Sequence, residues 1–267
     1  MNGWDRASPG YLAQWQPQLA PYDVDLAFEL GLREGDCVLS TPGSEVVALA
    51  RAVGDRGRVH AVAATEDVLV LCKERVRASA LADRVETLAA PRGPYDAAVS
   101  AFDFDVAAGR AHLAALREAI GPRGKIGVML WGPPAEDDPE RVFARAIDAV
   151  APEIAASAVW PDVARATLAS LFEAAGLALI RHTVVSHAMI FQHAERFATA
   201  LLAARSYGPK LRALGDPAVA AVLARFYERV GQDDAISYAP AATIVIGALP
   251  GAEIELPHRP SVRVPVI

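Results

Sequence analysis

Between Leu30 and Asp67 the chain spells out a turn, a short apolar run, a helix and a second apolar run, and no other stretch constrains its folding as much. Gly31-Leu-Arg-Glu-Gly-Asp-Cys-Val-Leu39 supplies the turn and a first strand, Val46-Val-Ala-Leu-Ala-Arg-Ala-Val53 a helix, and Arg58-Val-His-Ala-Val-Ala-Ala64 a second strand. Two strands joined through a helix make a βαβ unit with the strands parallel. A parallel sheet buries both faces, so the remainder of the chain has to supply further strands and the helices that cover them.

The alternation continues. Strands are expected near residues 37–41, 58–64, 85–90, 96–102, 125–131, 177–187 and 241–249, with helices near 44–53, 66–80, 107–120 and 165–175. Gly121-Pro-Arg-Gly124 marks a helix stop and turn ahead of Lys125-Ile-Gly-Val-Met-Leu-Trp131, whose near-continuous apolar character suits a central strand. Two segments interrupt the pattern. Residues 132–164 open with Gly132-Pro-Pro134 and an acidic tract through Glu140, followed by a helix near 140–150. Residues 188–240 form an alanine-rich helical insertion, with helices expected over 194–206 and 217–231.

Leu-Gly-Leu-Arg-x-Gly-Asp-x-Val-Leu from Leu30, Ala-Leu-Ala-Arg-Ala-Val-Gly-x-Arg-Gly-Arg-Val from Ala48 and the later Tyr95-Asp-Ala-Ala-Val-Ser100 resemble class I S-adenosylmethionine (SAM) methyltransferases of the small-molecule, UbiE-like kind. The resemblance spans roughly residues 4–250. It implies a Rossmann-like α/β fold with a seven-stranded, mostly parallel sheet, the last strand reversed, helices on both faces and a helical cap. The implied organisation is an aromatic helical lid over residues 1–29, an α/β core over 30–187 and 241–255, a cap insertion over 188–240 and an extended tail over 256–267. In that family the lid folds over the cofactor and substrate mouth, and the cap covers the substrate.

The centre of the family's cofactor site is altered. Where the family's first strand ends in an acid and runs into a loop with three glycines, this chain has Ser40-Thr-Pro-Gly-Ser-Glu45, shorter and with Gly43 alone. Glycines there let the backbone approach a ligand, and Pro42 removes an N–H. Ser44 reads as an N-cap and Glu45 as a first-turn acid, which would satisfy the helix terminus without a ligand. Ala63 stands where the family's second strand places the acid that accepts from both ribose hydroxyls, and alanine accepts nothing through its side chain. Pro91-Arg-Gly-Pro94 leads directly into Tyr95, several residues short of the segment that lines the adenine. Ser40, Gly43 and Ala63 are therefore expected to be vestigial cofactor positions, and no cofactor is expected. SAM remains the cofactor if the site is merely atypical.

Ligands of open α/β sheets gather beyond the C-terminal ends of the strands. Asp103 and Asp105 follow the fourth strand, where they would serve as a base or instead cap the next helix. Trp131 ends the fifth strand and can stack on a flat ligand or pack under the lid. His187 ends the sixth, and His193 lies in the helix after it; histidine is the natural acid or base near neutral pH, although a lone histidine is commonly structural. Asp103, His187 and His193 are the catalytic candidates. Tyr11, Trp15, Phe104, Asp105, Trp131, Arg205 and Tyr207 are the candidates for a substrate pocket. No His, Cys and acid spacing matches a metal site, and there is no Gly-x-Ser-x-Gly elbow or phosphate loop.

Composition excludes some partners. A net charge of −6, with basic residues scattered, argues against a nucleic-acid backbone. No apolar run is long enough to span a membrane, and Trp4, Asp5 and Arg6 precede any apolar run, unlike a signal peptide. A cytoplasmic protein is expected, with Cys37 and Cys72 as buried thiols rather than a disulfide. The abundance of Ala, Arg and Pro is of the kind found in high-GC bacteria, where such folds serve specialised metabolism. Three functions follow from the resemblance and its departures. The first is a small-molecule enzyme acting without SAM as a cyclase, pericyclase or isomerase. The others are a non-catalytic partner of another enzyme and a SAM-dependent methyltransferase with an atypical site. A homodimer or a pairing with another enzyme fits the alanine-rich cap.

Overall fold

The computed structural model of the chain describes residues 9–41, 45–62, 66–102, 104–155, 163–203 and 207–258. Their elements in order are α1 (Pro9–Glu29), β1 (Cys37–Thr41), α2 (Val46–Ala52), β2 (Arg58–Val62), α3 (Glu66–Ala78), β3 (Val85–Leu88), β4 (Tyr95–Ala101), α4 (Gly109–Ala119), β5 (Ile120–Trp131) and α5 (Pro139–Val150). Then come α6 (Pro152–Ala155), α7 (Arg165–Ala174), β6 (Ala178–Ser186), β7 (Met189–Phe191), α8 (Ala194–Ala203), α9 (Gly208–Leu214), α10 (Asp216–Val230), β8 (Ile236–Tyr238) and β9 (Ala241–Ala248).

Seven strands form one sheet in the order β3-β2-β1-β4-β5-β9-β6. The first five are parallel, and β9 runs antiparallel to both of its neighbours, as the resemblance implies. Strands β4, β5 and β9 are apolar nearly throughout because both of their faces are covered. On one face α1, α2 and α3 bury Leu26, Leu49 and Cys72 with Val38, Val59 and Val99. On the other, α4 and α7 bury Leu113, Leu116, Leu168 and Phe172 with Ala98, Ile126 and Val245. Helix and sheet approach closely enough that a Cβ on Gly247 would lie 2.3 Å from the Phe172 ring. Gly176, at φ +73°, ends α7: its N–H donates to Glu173 and that of Leu177 to Phe172, so the last carbonyls of the helix are satisfied.

Several local expectations are corrected. Gly121-Pro-Arg-Gly124 does end α4, but it is carried inside β5 as an irregularity between the pairs Tyr95↔Ile120 and Ala97↔Lys125. Glu45 is the residue that precedes α2 and makes no capping bond; its carboxylate turns back towards β1 instead. Ser44 lies outside the described residues, as does the tail beyond His258. The cap contains a two-stranded sheet, β7 with β8, that the helical reading of 188–240 did not include.

Residues 188–240 add aromatic rings to the same core that α1, α2 and α3 share with the sheet. Phe197 stacks on Phe226 at 5.9 Å and meets Tyr238 edge-on at 5.7 Å, while Phe143 of α5 meets Phe226 and Tyr207 edge-on. Helix α1 is fastened to the cap and to β6 along one face. Trp15 Nε1 donates to the Ala200 carbonyl at 3.2 Å, and the Gln18 carboxamide pairs with both the N–H and the carbonyl of Ile190. Tyr22, Asp25 and Glu29 continue the line, contacting His187, His187 again and Arg181. Spacings of three and four residues put all five on one side of the helix.

Candidate active site at the C-terminal rim of the sheet

Because β6 is parallel to β5, the ends of β4, β5 and β6 meet at one rim, and each contributes a ring. Phe102 directly follows β4 and adopts φ +59°, a left-handed conformation that is costly for an aromatic residue. Its N–H donates to the Met129 carbonyl at 2.7 Å, which pins the turn. That turn lays the Phe102 ring on Trp131, the last residue of β5, with centroids 4.1 Å apart and planes 19° from parallel. Both rings are half-buried.

Tyr22 of α1 fills the space beside them. Its ring is edge-on to Trp131 at 5.2 Å, to Phe102 at 6.2 Å and to the imidazole of His187 at 4.8 Å. Its hydroxyl donates to the Pro240 carbonyl at 2.7 Å and accepts from the His187 N–H at 3.0 Å. Burial, opposed by the hydrogen bond at His187, holds the phenol above its ordinary pKa, so it stays neutral. His187 follows β6, and its Nε2 lies 2.7 Å from Asp25 Oδ2 with the two side chains 33% and 17% exposed. A carboxylate oxygen only accepts, so Nε2 carries a hydrogen and donates it to Asp25, which holds the ring in place.

A buried acid also acts electrostatically on Tyr22. Glu140, in the first turn of α5, accepts from the Tyr238 hydroxyl at 2.8 Å. Burial lifts its carboxyl pKa from 4.5 to about 7 against the lowering effect of that hydrogen bond, and Asp138 raises it further. Burial and the field of Glu140 push the Tyr238 phenol far upward. Glu140 and Asp25 also act on Tyr22, so the two acids sit within electrostatic reach of one phenol.

The other candidates are distributed as follows. Trp15 is buried between α8 and β7, edge-on to Phe191 at 5.5 Å. Tyr207 is fully buried in the cap core beside Phe143. Phe104 is buried on the α4 and α7 face, close to His112. Asp105 is exposed and accepts from the Ala107 N–H at 2.9 Å, closing a turn ahead of α4 rather than capping that helix, whose N-cap is Ala108. His193 is exposed; its ring contacts the Asp233 carbonyl, and its own carbonyl accepts from the first turn of α8. Gly43, Ala63, Asp103 and Arg205 lie outside the described residues, as does the side chain of Tyr11. The structure thus brings Trp131 and His187 together and adds Tyr22, Asp25, Phe102, Glu140 and Tyr238, which the sequence did not single out. Only the i, i+3, i+4 stripe of α1 could have pointed to Tyr22 and Asp25; Glu140 follows Glu136, Asp137 and Asp138 and carries no local signal of its own.

At the end of β1, Ser40 Oγ donates to Glu45 Oε1 at 2.5 Å, with both residues fully buried. In the short link from β3 to β4 the Arg92 N–H donates to the Tyr95 hydroxyl, which also contacts His60 Nδ1. Cys72 is buried, and burial pushes its thiol up to about 12, which leaves it inert as a nucleophile. Among the described residues no group of three or more His, Cys, Asp or Glu is arranged to hold a metal, and no helix is long and apolar enough to cross a membrane.

No family model matches the sequence, and no curated protein matches it. Solved structures do match in fold. A protein of Bacillus halodurans C-125 assigned as a methyltransferase superposes with a TM-score of 0.53 at 15% identity, covering 84% of this chain and 97% of its own. The [4+2]-cyclase SpnF superposes with a TM-score of 0.54 at 17% identity, covering 90% and 85%. A cyclopropane-fatty-acyl-phospholipid synthase-like protein of Lactobacillus casei ATCC 334 gives 0.52 at 17% identity, covering 88% and 92%. At these identities the likeness is one of fold, and the fold is that of the class I methyltransferases.

Proposed function

We propose that this chain uses the class I methyltransferase fold without SAM and converts a small organic molecule at the C-terminal rim of the sheet, as a cyclase, pericyclase or isomerase. The observation that carries the reading is the Ser40–Glu45 bond. A SAM site of the kind the resemblance implies needs open backbone and free acceptors beyond β1 and β2. Here the carboxylate nearest the end of β1 is turned onto Ser40 in a fully buried contact. The residue that follows β2 is an alanine, with no acceptor to offer a ribose. These residues do not fit the cofactor.

The rim offers what such a reaction needs. The Phe102–Trp131 pair gives a flat apolar platform, and holding a flexible molecule in its reactive conformation there lowers the barrier by pre-paid orientation. His187, steadied by Asp25, is a base beside that platform. The [4+2]-cyclase SpnF has a similar fold, so ring-forming chemistry is known on this scaffold in another protein, which supports the reading. Calorimetry of the purified chain with SAM and with S-adenosylhomocysteine tests the reading. No heat at millimolar ligand is expected, and micromolar binding of either would overturn it in favour of a methyltransferase with an atypical site.

A further inference from the structure

The strands at the margins of this fold are finished in different ways. At one edge of the main sheet β3 is four residues long, and its Glu86 is tied to Arg92. The outer side of β7, in the small sheet, is closed by the Gln18 carboxamide on Ile190. At the other edge of the main sheet β6 is nine residues long, and among the described residues it pairs with β9 alone. Its sequence, Ala178-Leu-Ile-Arg-His-Thr-Val-Val-Ser186, holds neither proline nor lysine. Its irregularity lies near the start, between Leu179 and Arg181, and Val184 in the regular part is 60% exposed. A long, regular edge with apolar side chains is the kind that another strand joins.

The backbone fixes which groups face outward. The Gly132 N–H donates to the Ala241 carbonyl, so Ala241 turns its N–H and carbonyl towards β5. Ser186 stands opposite Ala241 and therefore turns its own away from β9. Alternation along an antiparallel strand turns those of Val184 and His182 outward as well. We infer that the chain forms a two-fold dimer in which β6 pairs antiparallel with β6 of a second copy, the axis passing beside Val184. In that register Val184 faces Val184, and His182 faces Ser186 of the other copy. All three outward residues are then used, and about six hydrogen bonds form. Thr183 comes beside Val185 of the other copy, a β-branched pair that suits a sheet. Arg181 comes across from His187, which is bonded to Asp25, so a cation meets an acid and like charges do not oppose one another. Moving the axis to Thr183 or His182 would set an outward residue against the bulge at Ile180. A standard interface buries about 800 Å² from each partner, more than one strand supplies. Helix α1, held over β6 by the Glu29–Arg181 and Asp25–His187 contacts, lies on the same face of the joined sheet in both copies and adds to the contact.

Sedimentation velocity of the full chain, from about 1 to about 100 μM, tests this pairing. A species of twice the 28.2 kDa chain mass is expected to fill as concentration rises. Val184→Lys sets a charge against its own image at the axis, and Val184→Pro removes an N–H that β9 does not use. Each should raise the dimer dissociation constant about tenfold or more, with the far-ultraviolet circular dichroism of the wild type retained. Val184→Cys, made together with Cys37→Ser, should link two chains on mild oxidation, because the two Cα atoms lie about 5.5 Å apart in this register. Val70→Cys in the same background, at an exposed position on α3, should not. A chain that stays monomeric at about 100 μM would overturn the inference and leave the β6 edge to a strand of another protein. A dimer that both Val184→Lys and Val184→Pro leave intact would overturn it too, as would linking that proceeds as readily from Val70→Cys.

Discussion

Replacing Glu140 by glutamine should stabilise the protein, and by an amount that grows with pH. The folded chain holds the Glu140 proton up to about 7, whereas the unfolded chain releases it near 4.5. Between those values the native state binds more protons than the unfolded state, so this residue's contribution to unfolding free energy falls as pH rises and levels off above 7. At ~1.4 kcal/mol per pH unit the full interval is worth ~3 kcal/mol, and the fraction already lost at pH 5 is ~1 kcal/mol. Glutamine keeps an oxygen for the Tyr238 hydroxyl and has the same shape, so it removes the ionisation and little else. Urea unfolding followed by circular dichroism at pH 5 and pH 8, variant against wild type, isolates the effect because the other carboxylates cancel in the difference. The variant should gain ~1 kcal/mol at pH 5 and ~3 kcal/mol at pH 8, the latter equivalent to roughly 6–12 °C in Tm for a chain of this length. A difference independent of pH, or one that grows on acidification, would refute the reasoning.

Trp15→Ala removes a buried indole, its bond to Ala200 and its contact with Phe191; a loss of ~3–5 kcal/mol is expected by urea unfolding, and one below ~1 kcal/mol would show that α1 is not fastened to the cap there. Gly247→Ala drives a methyl into the Phe172 ring and should cost ~1–3 kcal/mol by overpacking, with Phe172→Leu in the same chain restoring part of it if the clash is the cause.

The sheet was legible because its signal is local. Each strand of the main sheet is a short apolar run set off by turn residues, and each observed strand lies within a few residues of the run that announced it. Strands β7 and β8 were missed because three residues each, Met189–Phe191 and Ile236–Tyr238, are too few for a period to register. The site was legible only where an element ends, at Trp131 and His187. Its other members are joined over long separations: Tyr238 reaches Glu140 across 98 residues, His187 reaches Asp25 across 162 and Tyr22 reaches Pro240 across 218. No window of sequence contains both partners of any of these contacts. Composition misled in one respect, since the aromatics that looked available for a pocket, Trp15, Phe104 and Tyr207, are buried in hydrophobic packing.

The register of the last two sheet strands has an engineering consequence. Ser186 stands opposite Ala241, and the Ser186 hydroxyl donates to the Ala239 carbonyl, so the long excursion of residues 187–240 departs and returns through two feet on one rung of the ladder. The spacing of those feet is set by strand pairing and by the Tyr22 hydroxyl, which bonds both His187 and Pro240, so a loop beyond the packed segments can change length while the ladder beneath keeps step. A graft that keeps Tyr22 and this rung is therefore expected to leave the sheet intact.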